Sequence, residues 1–202
     1  MTKPRSIGIT GGIGSGKSTV CRIFESLGVP IYYADDRGKY LLKNDKGLVE
    51  SVKSIFGEES YLADGELNRS YLAKVVFSQS SELAKLNALV HPAVAKDFEQ
   101  WFNEHSGHSY VLKEAALLFE TESYKSLDET ICVFAPKKVR LERVLLRDIQ
   151  RTVQQVEQIM DQQTSDRLRR ELTTYSIQND SESLLIPQVM KIHKEILRSA
   201  SN

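Results

Sequence analysis

The sequence predicts an α/β fold in which short strands alternate with helices around a glycine-rich loop. Three observations predict it. The stretch GITGGIGSGKST, residues 8–19, is dense in glycine and lies directly behind a short apolar run. Brief β-branched or apolar runs return at 29–33, 110–112, 129–134 and 174–177. From Gly47 to about His105 the apolar residues instead recur at spacings of three and four, the signature of a helical insertion.

Taken in order, Ser6 to Thr10 (SIGIT) reads as a buried first strand. Lys17 to Leu27 reads as a helix with Val20, Ile23, Phe24 and Leu27 on one face and Gly28 as its C-terminal cap. The loop between them, Gly11-x-x-x-x-Gly16-Lys17-Ser18, fits the Walker A pattern without a mismatch and in the strand-loop-helix setting that the pattern needs. Its glycines let successive N–H groups converge on phosphate oxygens. Gly12, Ile13, Gly14, Ser15, Gly16, Lys17, Ser18 and Thr19 are therefore the expected nucleotide-binding residues. Lys17 would reach the β and γ phosphates of ATP, and the Ser18 hydroxyl would ligate Mg²⁺.

Val29 to Tyr33 (VPIYY) reads as the second strand, with Asp35 and Asp36 at its C-terminal end, the edge where open parallel sheets bind ligands. Asp35 could take a proton from an acceptor hydroxyl or support the Mg²⁺ shell. Its alternative is an N-cap for a helix beginning near Asp36. In the helical region Gly57, Gly65 and Pro92 punctuate four segments. His91, as a loop histidine before Pro92, could hydrogen-bond a substrate phosphate or sugar, or only satisfy nearby backbone. Trp101, Phe98 and Phe102 read as helix packing, and His105 and His108 have no Cys or acidic partner at metal-ligand spacing.

Tyr110 to Leu112 and Glu129 to Phe134 restore strand character. Glu114, closing the first of these, is placed like a Walker B carboxylate acting on the metal through water, although Lys113 breaks the usual apolar run; an edge charge is the alternative. Pro136 can begin a helix through about Arg147, and Thr152 with Gln155 offers a capping box for another running to about Gln162. Arg140, Arg143 and Arg147 share one face of the first of these helices, with Arg151 in the hinge that follows. They suit a mobile flap that neutralises a transferring phosphoryl group and excludes water, or a solvated face paired with Glu142 and Asp148. Thr174 to Ile177 makes a last strand. Ser183 to Leu197 closes the chain as a helix with Val189, Ile192 and Ile196 inward.

With 202 residues, 41% of them hydrophobic, one compact domain with one core is expected. Lys plus Arg and Asp plus Glu balance at 27 each, so no global basic field points to nucleic acid as a partner. Cys21 and Cys132 read as buried thiols of a cytoplasmic protein. The N-terminus lacks a signal-peptide core, and no apolar run approaches the ~20 residues that cross a bilayer, so no membrane partner is expected.

Together these positions resemble the dephospho-coenzyme A kinase family over nearly the whole chain. The family's "GLTGGIGSGKS" is matched by Ile9 to Ser18 and its "DAD" by Tyr33-Ala34-Asp35. Its "LxxxxHP" is matched by Leu86 to Pro92 and its "PLLFE" by Ala116 to Glu120. The lid motif "QLERLMKR" corresponds to Arg140 to Arg147, a later glutamine to Gln162 or Gln163, and the terminal "DxxIxN" to Thr174 to Asn179. Tyr33, Ala116 and Thr174 depart from the pattern, and Tyr33 leaves the carboxylate work at that edge to Asp35, helped by Glu114.

The resemblance implies a P-loop NTPase fold of the nucleoside-monophosphate-kinase type, three layers α/β/α with a five-stranded parallel sheet. The core would span about 1–34, 109–139 and 172–202, the acceptor-binding insertion about 35–108 and the arginine-bearing lid about 140–171. It implies transfer of the γ-phosphate of MgATP to the ribose 3′-hydroxyl of dephospho-coenzyme A. Lys17, Asp35, Arg143 and Arg147 would be catalytic, Asn179 would touch the adenine, and Asp35, His91 and Leu117 would bind the acceptor. A monomer or small homo-oligomer is expected. A kinase for a nucleoside or sugar acid would keep the loop and lid but would not need His91-Pro92. A GTPase switch would want an Asn-Lys-x-Asp segment, which does not occur.

Overall fold

β1 (Arg5–Gly11) is the middle strand of the sheet, and its sequence suits that place: Ser6, Ile7, Ile9 and Thr10 are small or β-branched and all buried. The computed structural model describes residues 3–78 and 80–200. The other strands are β2 (Ile31–Tyr33), β3 (Tyr110–Glu114), β4 (Glu129–Phe134) and β5 (Tyr175–Gln178), in the order β2-β3-β1-β4-β5. β1 pairs in parallel with β3, Ile9 opposite Glu114, and with β4, Gly11 opposite Val133; β4 pairs in parallel with β5. This is the expected five-stranded parallel sheet. β2 begins at Ile31 instead of Val29, because Pro30 offers no N–H to a ladder, though its carbonyl accepts from the Leu112 amide at 2.9 Å.

α1 (Lys17–Ser26) follows β1, packing on it through Val20, Cys21 and Phe24. It ends as expected, with Gly28 at φ 81° beyond the Leu27 cap. The last helix, α9 (Leu185–Ala200), packs on α1, β3 and β5 through the predicted stripe Val189, Ile192 and Ile196. Gly8 points away from Ile7 and Ile9, toward Leu118 and Leu127, which leave no room for a side chain.

Residues Tyr33–Glu104 form one compact unit and the rest of the described chain the other. One core is expected from composition; the structure instead gives Tyr33–Glu104 its own cluster of Leu41, Leu48, Val52, Phe56, Tyr61, Leu72 and Val76. The reason is local. The helices α2 (Ala34–Asn44), α3 (Lys46–Phe56), α4 (Arg69–Ser78) and α5 (Ser80–Glu104) follow one another in sequence, and their apolar stripes bury one another. Arg37 ties α2 to α5 through both Asp97 carboxylate oxygens. Pro92 does not punctuate: α5 runs through it, and His91 is therefore a helix residue, not a loop histidine. A proline removes one helix bond and clashes with one carbonyl. Leu86, Leu89, Ala93 and Val94, packed on the cluster from both sides of it, outweigh that loss.

Three helices connect β4 to β5. α6 (Lys137–Arg147) starts after Pro136, and α7 (Val153–Gln162) carries the predicted Thr152–Gln155 capping box. α8 (Asp166–Leu172) was not legible, being seven residues long and too short to show a period. Strand β5 and helix α9 begin one and two residues later than their sequence patterns suggest, shifts ordinary for element ends. No described helix is long and apolar enough to cross a membrane.

Candidate active site

The glycine loop leaves β1 at the centre of the sheet and opens α1. Gly14 and Gly16 adopt φ of 76° and 90°, which L side chains rarely take. Gly16 is the N-cap of α1 and supplies no side-chain bond, so the N–H groups of the first turn, with the positive end of the helix dipole, face outward as an anion site. Lys17 stands at that helix start and forms an ion pair with Glu114 at the end of β3. Both are well buried, with side chains 15% and 8% exposed. Glu114 is thus no mere edge charge: its strand places it against the loop lysine. Lys113, one residue before, is buried too, and burial pulls its ammonium pKa down.

A buried frame surrounds the loop. The Asn179 side chain donates to the Ser15 carbonyl at 2.7 Å and accepts from Arg143, which also donates to the Asn179 carbonyl at 3.0 Å and to the Ser181 hydroxyl at 3.1 Å. An adenine contact is expected of Asn179; in the structure one of its amide N–H groups is engaged by the loop and its Oδ1 by Arg143. Arg140 and Arg169 crowd Gly12, where a Cβ would collide with both guanidinium groups. Asp166 pairs with both arginines, at 3.5 Å and 3.1 Å, and Glu120 lies 3.6 Å from Arg169. Arg140 Nε, Arg169 Nη2 and Ser15 Oγ are buried without hydrogen-bond partners, so charge and donors accumulate around the loop.

The three lid arginines share a helix face by spacing but not a destination. Arg140 is buried at Gly12, Arg143 holds Asn179, and Arg147 lies exposed, donating to Asp148 at 3.1 Å and 2.9 Å. Asp148 holds Arg147 and Arg151 together in the hinge, much as the solvated-face alternative describes. Sequence reasoning missed Arg169 altogether, because a guanidinium in the run DRLRREL has no local mark that separates it from its exposed neighbours Arg167 and Arg170.

In the Tyr33–Glu104 unit, α2 starts at Ala34 with Tyr33 as its cap, so Asp35 lies in the first turn and is not the N-cap. It is exposed and favourably placed on the helix dipole. His91 is exposed in the middle of α5, and Phe98 stacks on Trp101 at 6.2 Å within that helix, as packing predicts. Leu117 belongs to the other unit, after β3, where it is 47% exposed and its carbonyl accepts from Thr121. Among the described residues no group of His, Cys, Asp or Glu could hold a metal by itself.

Both cysteines are buried and free. Burial pushes the Cys21 and Cys132 thiols up to about 12, with Glu114 adding to the effect at Cys21. Neither thiol is therefore expected to react with iodoacetamide at pH 8 in the native protein, while both should react in guanidinium, as mass spectrometry would count. A single alkylated site under native conditions would contradict this burial.

A glycine loop at the end of the central strand of a parallel sheet, with a lysine, a hydroxyl and a strand-end carboxylate at the helix it opens, defines a P-loop nucleotide-binding protein of the small-kinase type. Residues 5–184 match the family model described as dephospho-CoA kinase, and the chain belongs to that family. A dephospho-CoA kinase of Bacteroides fragilis is 35% identical over 186 residues, covering 92% of this chain and 90% of that protein. A crystal structure of a Thermus thermophilus protein superposes with a TM-score of 0.83 at 30% identity, covering 98% of both chains. Dephospho-CoA kinase from Campylobacter jejuni gives 0.71 at 25% identity, covering 96% of this chain and 98% of that one.

Proposed function

We propose that the protein transfers the γ-phosphate of ATP to the ribose 3′-hydroxyl of dephospho-coenzyme A, giving coenzyme A and ADP. The observation that carries this is the family match across residues 5–184, which includes the phosphate loop, the lid helices and the helical unit alike. The loop geometry supports the ATP half of the reaction. The N–H groups of Gly14, Gly16, Lys17 and Ser18 bind the phosphates, Ser15 and Thr19 shape the loop through their N–H bonds to Gly12 and Gly16, and Lys17 moves from Glu114 to the β and γ oxygens.

The 3′-hydroxyl gives its proton to the Asp35 carboxylate as the new O–P bond forms and the bond from phosphorus to the ADP oxygen breaks. Asp35 is suited to this as an exposed carboxylate in the first turn of α2, directly after β2. Arg143 and Arg147 spread the charge that develops, which requires their release from Asn179 and Ser181 and from Asp148 as the lid moves. The donors near the loop fit Mg²⁺: the Ser18 hydroxyl directly and the Glu114 carboxylate through water are the hard oxygen ligands it takes. When bound, the ion supplies neutralisation of the β and γ phosphates. His91 and Leu117 contact the acceptor, whose pantetheine arm asks for an apolar groove. The partners are these small molecules, in a monomer or small homo-oligomer. Two buried free thiols support a reducing, cytoplasmic setting.

The test incubates purified protein and MgATP with dephospho-coenzyme A, and in parallel with nucleosides and sugar acids, following ADP and product mass. One phosphoryl group gained by dephospho-coenzyme A alone is the expected result; phosphorylation of another panel member only would overturn the acceptor. Asp35→Ala is expected to lower kcat by roughly 10²-fold or more while ATP binding is kept. Wild-type turnover by that variant would remove Asp35 from the role of base.

A further inference from the structure

The turn between α7 and α8, with the first residue of α8, runs from Gln163 to Asp166 and spends every one of these residues on an anchor, and two of the four reach the neighbourhood of the phosphate loop. The Gln163 side-chain carbonyl accepts from the Ile13 amide at 2.9 Å. The Thr164 amide donates to Glu120 at 2.7 Å, the Ser165 hydroxyl caps α8 at Leu168, and Asp166 pairs with the two arginines that crowd Gly12. Ile13 is held at its other end as well: its side chain packs into the cluster of Val144, Val156 and Met160 between α6 and α7. Gln162, the neighbouring glutamine, is exposed and marks the end of α7.

We propose that Gln163 is a positioning residue that clamps the phosphate loop through the Ile13 amide, with Glu120 fixing the turn from which Gln163 reaches. The reasoning rests on the loop being the ATP site. Ile13 lies between Gly12 and Gly14, and its N–H direction is set from outside by the Gln163 side chain, as the Ser15 carbonyl is by Asn179. Fixing it, together with the partly buried Ile13 side chain, holds the first half of the cradle as the bonds of Ser15 to Gly12 and Asn179 hold the second. The loop is then preorganised before nucleotide arrives, which lowers the cost of binding. Because the anchor sits on the segment joining two lid helices, any displacement of that segment changes the loop, and the loop's state is felt in the lid.

Amide exchange tests the clamp without any acceptor. In the nucleotide-free wild-type protein the Ile13 amide is expected to be protected; exchange at the unprotected rate would overturn the proposal, whatever any variant does. Gln163→Met keeps length but cannot accept a hydrogen bond. It should speed Ile13 exchange and weaken ATP binding by calorimetry, each by roughly tenfold. Gln163→Glu keeps the acceptor and should retain the protection, while Gln162→Met should change neither quantity. Unaltered exchange or ATP affinity in Gln163→Met, or loss of protection in Gln163→Glu, would reduce Gln163 to packing. Amide exchange and ATP calorimetry, which alone decide the clamp, contain no acceptor, so failure of the dephospho-coenzyme A assay would leave the clamp standing, and failure of the clamp would leave that assay untouched.

Discussion

Lys17→Met is expected to lower kcat/KM by about 10²- to 10³-fold, the loss that follows when one preorganised donor to developing charge is taken away. The structure adds a second consequence. Lys17 is the ion-pair partner of Glu114, whose side chain is only 8% exposed, so the substitution leaves a carboxylate buried without its counter-charge. Breaking a buried pair from one side costs about 3–5 kcal/mol, and the remaining exposure of this one places it toward the lower end. The two effects separate in the double variant Lys17→Met with Glu114→Gln. Stability measured by denaturant unfolding should largely return, while phosphoryl transfer should not. Recovery of activity in the double variant would mean that the lysine serves only to neutralise Glu114, and the proposed contact with the β and γ phosphates would fall.

Gly16→Ala is expected to abolish useful ATP affinity with no charged group altered. Gly16 sits at φ 90°, and a Cβ there would strike the Asn179 amide that supports the Ser15 carbonyl. The backbone strain alone is about 1–3 kcal/mol, which is roughly 5- to 150-fold in an equilibrium. The displaced Asn179 also releases Arg143, so the effect spreads to the lid. Titration of ATP against the variant measures the loss. An affinity within twofold of wild type would show that the loop takes up its binding geometry without Gly16 in the left-handed region.

What was legible in the sequence was what neighbouring residues dictate to one another. The phosphate loop is readable because its constraint falls on a few consecutive glycines and the lysine behind them. The Thr152–Gln155 box and the stripe on α9 are equally local. Pro92 misled because a lost helix bond is a local cost, and the contacts that outweigh it come from α2, α3 and α4. The arginines show a similar limit: spacing fixes the face from which Arg140, Arg143 and Arg147 leave α6, but long side chains go where distant acceptors are. Glu114 meets Lys17 across 97 residues and Gln163 meets Ile13 across 150, separations at which a single sequence carries no pairing signal. The family's trailing glutamine and the glutamate of its "PLLFE" element were visible as letters, yet their joint purpose is a matter of tertiary contact.

The strand order also sets a timetable. β1 is made before either strand it pairs with, Arg5 meeting Tyr110 and Gly11 meeting Val133, so the middle of the sheet waits for β3 and β4. The helices from Ala34 to Glu104 find their partners nearby and can assemble in the interval, since closing short loops costs little entropy. A nascent chain that ends before β4 therefore carries the complete glycine motif and none of the framework that shapes it. In refolding followed by circular dichroism and by nucleotide fluorescence together, most helical signal should return before affinity for ATP does. The part of the protein easiest to recognise in its sequence is, on this schedule, the last to begin working.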